Sequence, residues 1–141
     1  MADVISFRDD AASQEPAVSV DNFAGQTNAT AVRIEPGEDA RALFPDLGRL
    51  SLVEVNFPAF GDGRGYSSAR ILREAGYAGE LRAVGDVLAD HIPLMRRVGF
   101  DSFAPRAPVD PAVLESTLAR YPEVYQKVAA DERPIWQLRH G

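Results

Sequence analysis

The residues best suited to chemistry lie in a glycine-rich segment, residues 61–68, near the middle of the chain. Its glycines alternate in the pattern G-x-G-x-G, with arginine and serine side chains between and after them. The segment separates an apolar run typical of a buried strand from an amphipathic pattern typical of a helix. A glycine-rich turn in that position directs backbone N–H groups and the positive end of a helix dipole toward an anion. The sequence therefore predicts an anion-binding site formed by Gly63, Arg64, Gly65, Ser67 and Ser68.

The spacing of these glycines matches neither of the two best-known nucleotide-binding motifs. The third glycine falls one position too early for the dinucleotide-binding motif, and no lysine follows it as a P-loop requires. The glycines also have a simpler interpretation, because they could serve only to allow positive φ angles in a turn. The pattern by itself does not specify a ligand.

Charged residues that follow other predicted strands extend this site. The carboxyl ends of parallel strands meet at one edge of a sheet, and ligands bind at that edge. Four charged residues are predicted to lie there: Asp62, Arg64, Asp86 and Arg106. Two arginines suit an anion, and two carboxylates suit proton transfer or a divalent cation, so Asp62 and Asp86 are candidate catalytic residues. Both aspartates could instead cap helices or close turns, and Arg64 could pair with one of them.

The elements that must position these residues alternate regularly between strands and helices. Short apolar runs predict strands at residues 31–34, 50–57, 81–84 and 100–104. Helical patterns follow at residues 38–47, 67–75, 88–98 and 110–121, with a further helix predicted at residues 122–130. Connections of this length favour right-handed crossovers, which predicts an α/β fold: one domain of repeated βα units around a mainly parallel sheet. The sheet is either half of an eight-fold barrel or a small open sheet, and the half-barrel is slightly favoured.

The two ends of the chain are less regular than its middle. Residues 1–28 contain two short apolar patches, which predict edge strands or a partly ordered arm in front of an α/β domain at residues 29–141. The last eight residues are apolar enough to pack against that domain. A sheet with open edges also makes a homo-oligomer plausible.

Composition excludes several classes of function. The 141 residues include no cysteine, which rules out disulfides, thiol nucleophiles and cysteine-bound metal centres within this chain. A formal net charge of −6 disfavours nucleic acid as a partner, and no apolar run approaches the length of a membrane span. The two histidines, His91 and His140, lack the spacing of metal ligands, so no metal site is expected. We expect a cytoplasmic protein with no membrane association.

Three blocks of sequence carry a family resemblance. They are F-P-A-F-G-D-G-R-G-Y-S at residues 57–67, G-E-L-R-A-V-G-D-V-L at residues 79–88 and R-V-G-F-D-S-F at residues 97–103. Together they resemble a bacterial family of unknown function whose members are described as probable oxidoreductases of sulfite reduction. That family is usually encoded beside the haem-containing sulfite reductase in assimilatory sulfur operons. The resemblance covers roughly residues 31–105.

The resemblance leads to three hypotheses about function. The first is an accessory protein of assimilatory sulfite reduction that binds sulfite reductase, its electron donor or a sulfur anion. The second is a small oxidoreductase or another enzyme that binds an anionic metabolite or the phosphate of a flavin or nicotinamide cofactor at residues 61–68. In that enzyme Arg64 and Arg106 would clamp the anion, while Asp62 or Asp86 would act as acid or base. The third is a structural α/β module. Because the chain has no cysteine and no recognisable cofactor motif, the first hypothesis is favoured.

Overall fold

Four parallel strands, each followed by a helix, form the centre of the molecule. The computed structural model describes residues 3–24, 28–59, 63–121 and 137–140. The strands are β1 (Asp3–Ser6), β2 (Val18–Ser19), β3 (Ala31–Ile34), β4 (Leu52–Phe57), β5 (Glu80–Gly85), β6 (Ser102–Pro105) and β7 (Gln137–His140). The α-helices are α1 (Val20–Ala24), α2 (Gly63–Glu74), α3 (Ile92–Val98) and α4 (Pro111–Ala119), and two 3-10 helices are η1 (Ala40–Arg49) and η2 (Ala89–His91).

The described strands form one open sheet of seven strands in the order β2-β3-β4-β5-β6-β1-β7. The pairs from β2 to β6 are parallel, whereas β1 runs antiparallel to both β6 and β7. The predicted α/β fold with a mainly parallel sheet is therefore confirmed. The strands β3 to β6 follow one another in chain order, as they would in half a barrel, but the sheet stays open.

The helices cover one face of this sheet and form the core with it. Alternate residues of each strand point to this face, so Val53, Val55 and Phe57 of β4 join one buried cluster with Leu81 and Ala83 of β5. Every helix in the described ranges that is longer than one turn contributes to the same cluster; the contributing side chains include Phe23, Leu43, Leu72, Met95 and Leu118. The core is therefore a single layer between the sheet and its helices.

Capping and proline residues explain where the helices begin. Asp110 accepts a hydrogen bond from the amide of Ala112 at 2.9 Å and is the N-cap of α4, directly ahead of Pro111. Pro93 lies in the first turn of α3, where a proline is tolerated. The predicted helix at residues 38–47 is a 3-10 helix, η1, which contains Pro45. The helix predicted at residues 122–130 lies outside the described residues.

The N-terminal residues add a strand to each side of the central four. β1 lies between β6 and β7, so it has neighbours on both sides, and β2 forms the opposite edge beside β3. Residues 8–17, which we call the strap, connect β1 to β2. The strap contacts side chains of β5 that alternate with the core residues Leu81 and Ala83, so it crosses the face of the sheet opposite the helices.

Candidate functional site

The carboxyl ends of the central strands bring three of the predicted charged residues to one edge of the sheet. Arg64 lies in the first turn of α2, after β4, while Asp86 follows β5 and Arg106 follows β6. Arg64 and Arg106 are exposed, and Asp86 is half-buried. The fourth residue, Asp62, lies outside the described residues. We call this edge, with the loops that follow β3 to β6, the C-terminal edge.

Gly85 joins the ends of three strands at this edge. The amide of Asp86 donates to the carbonyl oxygen of Phe57 at 2.7 Å, and the amide of Arg106 donates to the carbonyl oxygen of Gly85 at 2.7 Å. Gly85 has a φ of 99°, and a Cβ there would overlap the carbonyl oxygen of Phe57. Only glycine fits this junction, which fixes the backbone that carries Asp86 and Arg106.

Asn56 connects the loop after β3 to the same junction. Its amide Nδ2 donates to Glu35 Oε1 at 2.7 Å, and the amide of Glu35 donates to Glu38 Oε1 at 2.7 Å. Its Oδ1 faces Gly85, 2.9 Å from where a Cβ of that glycine would lie. No role for Asn56 was predicted from the sequence. Its position could have indicated one, because it is a polar residue near the end of an otherwise apolar run, shortly before the glycine-rich segment.

Arg64 reaches across from α2 to that same loop. One guanidinium nitrogen, Nη1, lies 3.7 Å from the position of a Cβ on Gly37, which has a φ of 88°. Gly37 lies between Glu35 and Glu38 in the sequence. The C-terminal edge therefore carries both signs of charge: the arginines Arg64 and Arg106 and carboxylates on the loops beside them.

Helix α2 begins earlier than the sequence indicated, which changes the geometry of the predicted anion site. It starts at Gly63 instead of near Ser67. Gly63, Arg64 and Gly65 consequently occupy its first turn, where backbone N–H groups have no partner within the helix. Ser67 is exposed and Ser68 is buried, and both lie in the second turn. The serine hydroxyls are thus set back from the helix end.

Close packing explains why the glycines continue as a helix. A Cβ on Gly65 would overlap the ring of Phe57, so a side chain at this position would push α2 away from β4. Among the described residues, no heavy atom lies within 4 Å of the corresponding position on Gly63. Gly65 therefore serves helix–strand packing, whereas Gly63 makes no such contact with the part of the chain that the structure describes.

The face of the sheet opposite the helices carries a buried polar network that the sequence analysis did not identify. Arg33, Glu54, Arg82, Ser102 and Ser6 stand side by side on adjacent strands. Glu54, Arg82, Ser102 and Ser6 are all buried. A polar face could have been predicted from the sequence, because apolar and polar residues alternate in β4 and β5. Their sequences are L-V-E-V-N-F and E-L-R-A-V-G.

Glu80, two residues before Arg82 on β5, belongs to the same network. Both carboxylates of the network, Glu54 and Glu80, accept a hydrogen bond at each oxygen. Glu54 Oε1 accepts from Arg33 at 2.8 Å and 2.9 Å, and its Oε2 lies 3.5 Å from Arg82 Nη1. Glu80 Oε2 accepts from Arg82 Nη2 and from the Ser102 hydroxyl, both at 2.7 Å. Its Oε1 accepts the amide of Ser13 in the strap at 2.8 Å. Full pairing of this kind is what allows charged side chains to be buried.

A second charged group lies at the opposite edge, where the strands begin. Asp101 Oδ2 accepts from Arg8 Nη1 at 2.7 Å and from Arg73 Nη2 at 3.0 Å, and its Oδ1 accepts the amide of Leu81 at 2.9 Å. Arg73 also donates to the backbone carbonyls of Tyr77, Gly79 and Gly99. These bonds connect the first residue of the strap with α2 and with the starts of β5 and β6, which is a structural role.

Tyr77 completes that group. Its hydroxyl donates to the carbonyl oxygen of Glu80 at 2.9 Å, and its side chain is almost fully buried. Burial raises the pKa of Tyr77 well above its usual value of 10.0, because the phenolate would lose its hydration.

The described ranges offer neither a metal site nor a membrane span. No group of three or more histidine and acidic side chains there is placed to hold a metal ion. None of the helices in those ranges combines the length and hydropathy that crossing a lipid bilayer requires.

Comparison with known proteins gives one match. A family model described as "Bacterial protein of unknown function (DUF934)" matches residues 31–136. The match begins with β3 and thus leaves out β1, the strap, β2 and α1. No curated protein and no solved structure matches the sequence.

Proposed function

This chain belongs to the bacterial protein family of unknown function DUF934, and we propose that it is an accessory protein of assimilatory sulfite reduction that acts with sulfite reductase. The link to sulfite reduction comes from the sequence resemblance of residues 57–67, 79–88 and 97–103. These blocks fall on β4 with the start of α2, on β5, and on the end of α3 with β6. They are therefore neighbours at the centre of the sheet.

The observation that carries the proposal is the mixed charge of the C-terminal edge. Arg64 and Arg106 are exposed there, while Glu35 and Asp86 lie on neighbouring loops. A surface with interspersed charges of both signs suits the complementary surface of a protein, where charge pairs set orientation and exclude wrong partners. A site dedicated to a small free anion would gain more from arginines alone. This supports a partner-binding role.

The sequence also argues against electron transfer through the chain's own side chains. With no cysteine, the protein can form neither a dithiol–disulfide couple nor a cysteine-bound iron–sulfur cluster. An accessory role requires neither of these groups.

A second candidate function rests on the start of α2. Arg64 and the N–H groups of the first turn lie together at an exposed helix end, which suits sulfite, sulfate or the phosphate of a flavin or nicotinamide cofactor. In such an enzyme Arg64 and Arg106 would hold the anion, and Asp86 would be the acid or base. The absorbance spectrum of the purified protein would reveal a bound flavin directly.

The deciding experiment is a pull-down from sulfate-grown cells, with identification of the retained proteins. The wild-type chain is expected to retain sulfite reductase, and the double variant Arg64→Glu/Arg106→Glu is expected to lose it. The matched control is Arg70→Glu/Arg97→Glu, which makes the same charge change at exposed positions further along α2 and α3. Failure of the wild type to retain sulfite reductase, or equal loss in the control, would contradict the proposal.

A further inference from the structure

One residue of the strap, Ser13, is bound to side chains of the sheet through its backbone. The amide of Ser13 donates to Glu80 Oε1 at 2.8 Å, and the carbonyl oxygen of Ser13 accepts from Arg82 Nη2 at 2.8 Å. Both polar groups of one peptide residue are thus bound by two side chains that are themselves paired at 2.7 Å. This is the pairing that a neighbouring strand would offer to an extended residue.

The side chains of Glu80 and Arg82 that bind Ser13 are buried, whereas the strap itself is not part of the core. Glu80 is 3 % exposed and Arg82 is 5 % exposed, and both belong to the fully paired network on β4 to β6. No residue of the strap is buried, although Ile5 before it and Phe23 after it are. Segments with few buried apolar contacts open locally at low cost while the rest of a domain stays folded.

Two further contacts define what the site accepts. Arg8, five residues before Ser13, pairs with Asp101 at 2.7 Å, and Glu15, two residues after it, accepts a hydrogen bond from the Thr30 hydroxyl. Both bonds to the clamping side chains use the backbone of Ser13: its amide bonds to Glu80 and its carbonyl oxygen to Arg82. The Ser13 hydroxyl accepts the amide of Glu15 at 3.2 Å, a bond within the strap that involves neither Glu80 nor Arg82. The clamp therefore selects a segment with an arginine at the first position, a residue other than proline at the sixth and an acid at the eighth.

We propose that Glu80 and Arg82 form a backbone clamp, that the strap is its removable occupant, and that the clamp takes an extended segment of a partner polypeptide when the strap opens. The strap is tethered at both ends, and tethering supplies an effective concentration on the order of millimolar. Weak intrinsic affinity is therefore enough to hold it. A partner segment with the same three features displaces the strap when the ratio of its concentration to its dissociation constant exceeds the ratio of the strap's effective concentration to the strap's own dissociation constant.

Hydrogen exchange on the full wild-type chain tests whether the strap opens separately. The amide of Ser13 is expected to exchange at least about tenfold faster than that of Ala83 in the central strand β5, yet more slowly than in an unstructured peptide. Equal protection of Ser13 and Ala83 would show that the strap opens only with the whole domain. No protection of Ser13 would show that the clamp does not hold it. Either result overturns the proposal.

A peptide competition tests the occupant. The probe is a synthetic peptide with the sequence of residues 8–18, added to isotope-labelled full-length Ser13→Pro, whose own strap lacks the clamped N–H. We expect the peptide to shift the amide resonances of Leu81, Arg82 and Ser102 in this variant. It should bind at least about tenfold more weakly to the wild type and to the matched control Ser13→Ala, because in both of these the strap still fills the clamp.

Three results would overturn the proposal: no shifts in folded Ser13→Pro, equal binding to Ser13→Ala, or equal binding of a peptide with proline in place of its clamped serine. If Ser13→Pro does not fold, hydrogen exchange on the wild type decides whether the strap opens, and titration of the labelled wild type with the peptide decides the occupant. No shift of Leu81, Arg82 and Ser102 at peptide concentrations above the effective concentration of the strap then overturns the proposal.

Discussion

The ring of Phe57 occupies the space into which a side chain at Gly65 would project. This contact sets the distance between α2 and β4, and with it the position of the helix end at the C-terminal edge. It also explains why the helix begins within the glycine-rich segment.

Replacing Gly65 by alanine should lower the free energy of unfolding by about 1–3 kcal/mol, because the added methyl group overpacks the core. Gly63→Ala is the matched control. It adds the same methyl group to the same turn, at a position with no heavy atom of the described residues within 4 Å, and the free energy of unfolding should be unchanged or raised by up to about 1 kcal/mol. Urea denaturation of both variants measures the difference. Equal effects at the two positions would contradict the packing role of Gly65.

The two aspartates that accept hydrogen bonds from Arg8 should differ strongly in importance. Asp101→Ala removes the acceptor of the Leu81 amide and one acceptor each of the guanidinium groups of Arg8 and Arg73, and should lower the free energy of unfolding by about 2–4 kcal/mol. Asp10→Ala removes a partner whose side chain is 65 % exposed, and should change stability by less than about 0.5 kcal/mol. Thermal or urea denaturation provides the comparison, and similar losses in both variants would show that Asp101 does not anchor this edge.

The stability of the protein should decrease at high pH through Tyr77. Burial raises its pKa in the folded chain above 10.0. The neutral hydroxyl therefore contributes its full stabilisation below pH 10, and this is lost as the pH rises through the folded pKa. The loss has a slope of up to about 1.4 kcal/mol per pH unit for one group.

Tyr77→Phe isolates this effect. Near neutral pH the variant should be less stable by about 1 kcal/mol, because the carbonyl oxygen of Glu80 loses its donor. Above pH 10 the difference from the wild type should shrink. Parallel stability curves for the two proteins between pH 8 and pH 11 would rule out Tyr77 as the source of the pH dependence.

If the start of α2 is an anion site, as the second candidate function requires, reversing the charge of Arg64 should abolish the binding of sulfite, sulfate or phosphate with little effect on folding. The guanidinium is exposed at the start of α2, so Arg64→Glu should shift Tm by less than about 4 °C. Titration calorimetry with each anion measures affinity, and Arg70→Glu, an exposed arginine further along the same helix, is the control. Unchanged affinity in Arg64→Glu, or a large loss of stability, would assign Arg64 a structural role.

The local part of this fold was predictable from the sequence. The strand at Ala31–Ile34 was predicted with the bounds that it has, and a helix was predicted at residues 110–121, where α4 lies. Both predictions rest on the pattern of neighbouring residues. The start of α2 was not predictable in the same way, since glycines at Gly63 and Gly65 indicate a turn unless the ring of Phe57 is known to pack against them.

The long-range part could not be derived from local patterns. The antiparallel pairing of β1 with β6 and β7 depends on contacts between distant segments, which no local pattern specifies. The candidate site shows the same division. Consecutive parallel strands indicated that Arg64, Asp86 and Arg106 share an edge, whereas the bond between Asn56 and Glu35 depends on how two loops meet.

The position of β1 also constrains how the protein can form during synthesis. This strand leaves the ribosome before β3 to β6, yet its two neighbours in the sheet, β6 and β7, are made long after it. Its apolar residues, including Ile5, therefore have no partner strand while the consecutive parallel units assemble. Pairing between segments so far apart in the sequence is also slow, because it requires a long loop to close. Until β6 and β7 are complete, the nascent chain carries an exposed strand that a chaperone could shield and that aggregation could capture.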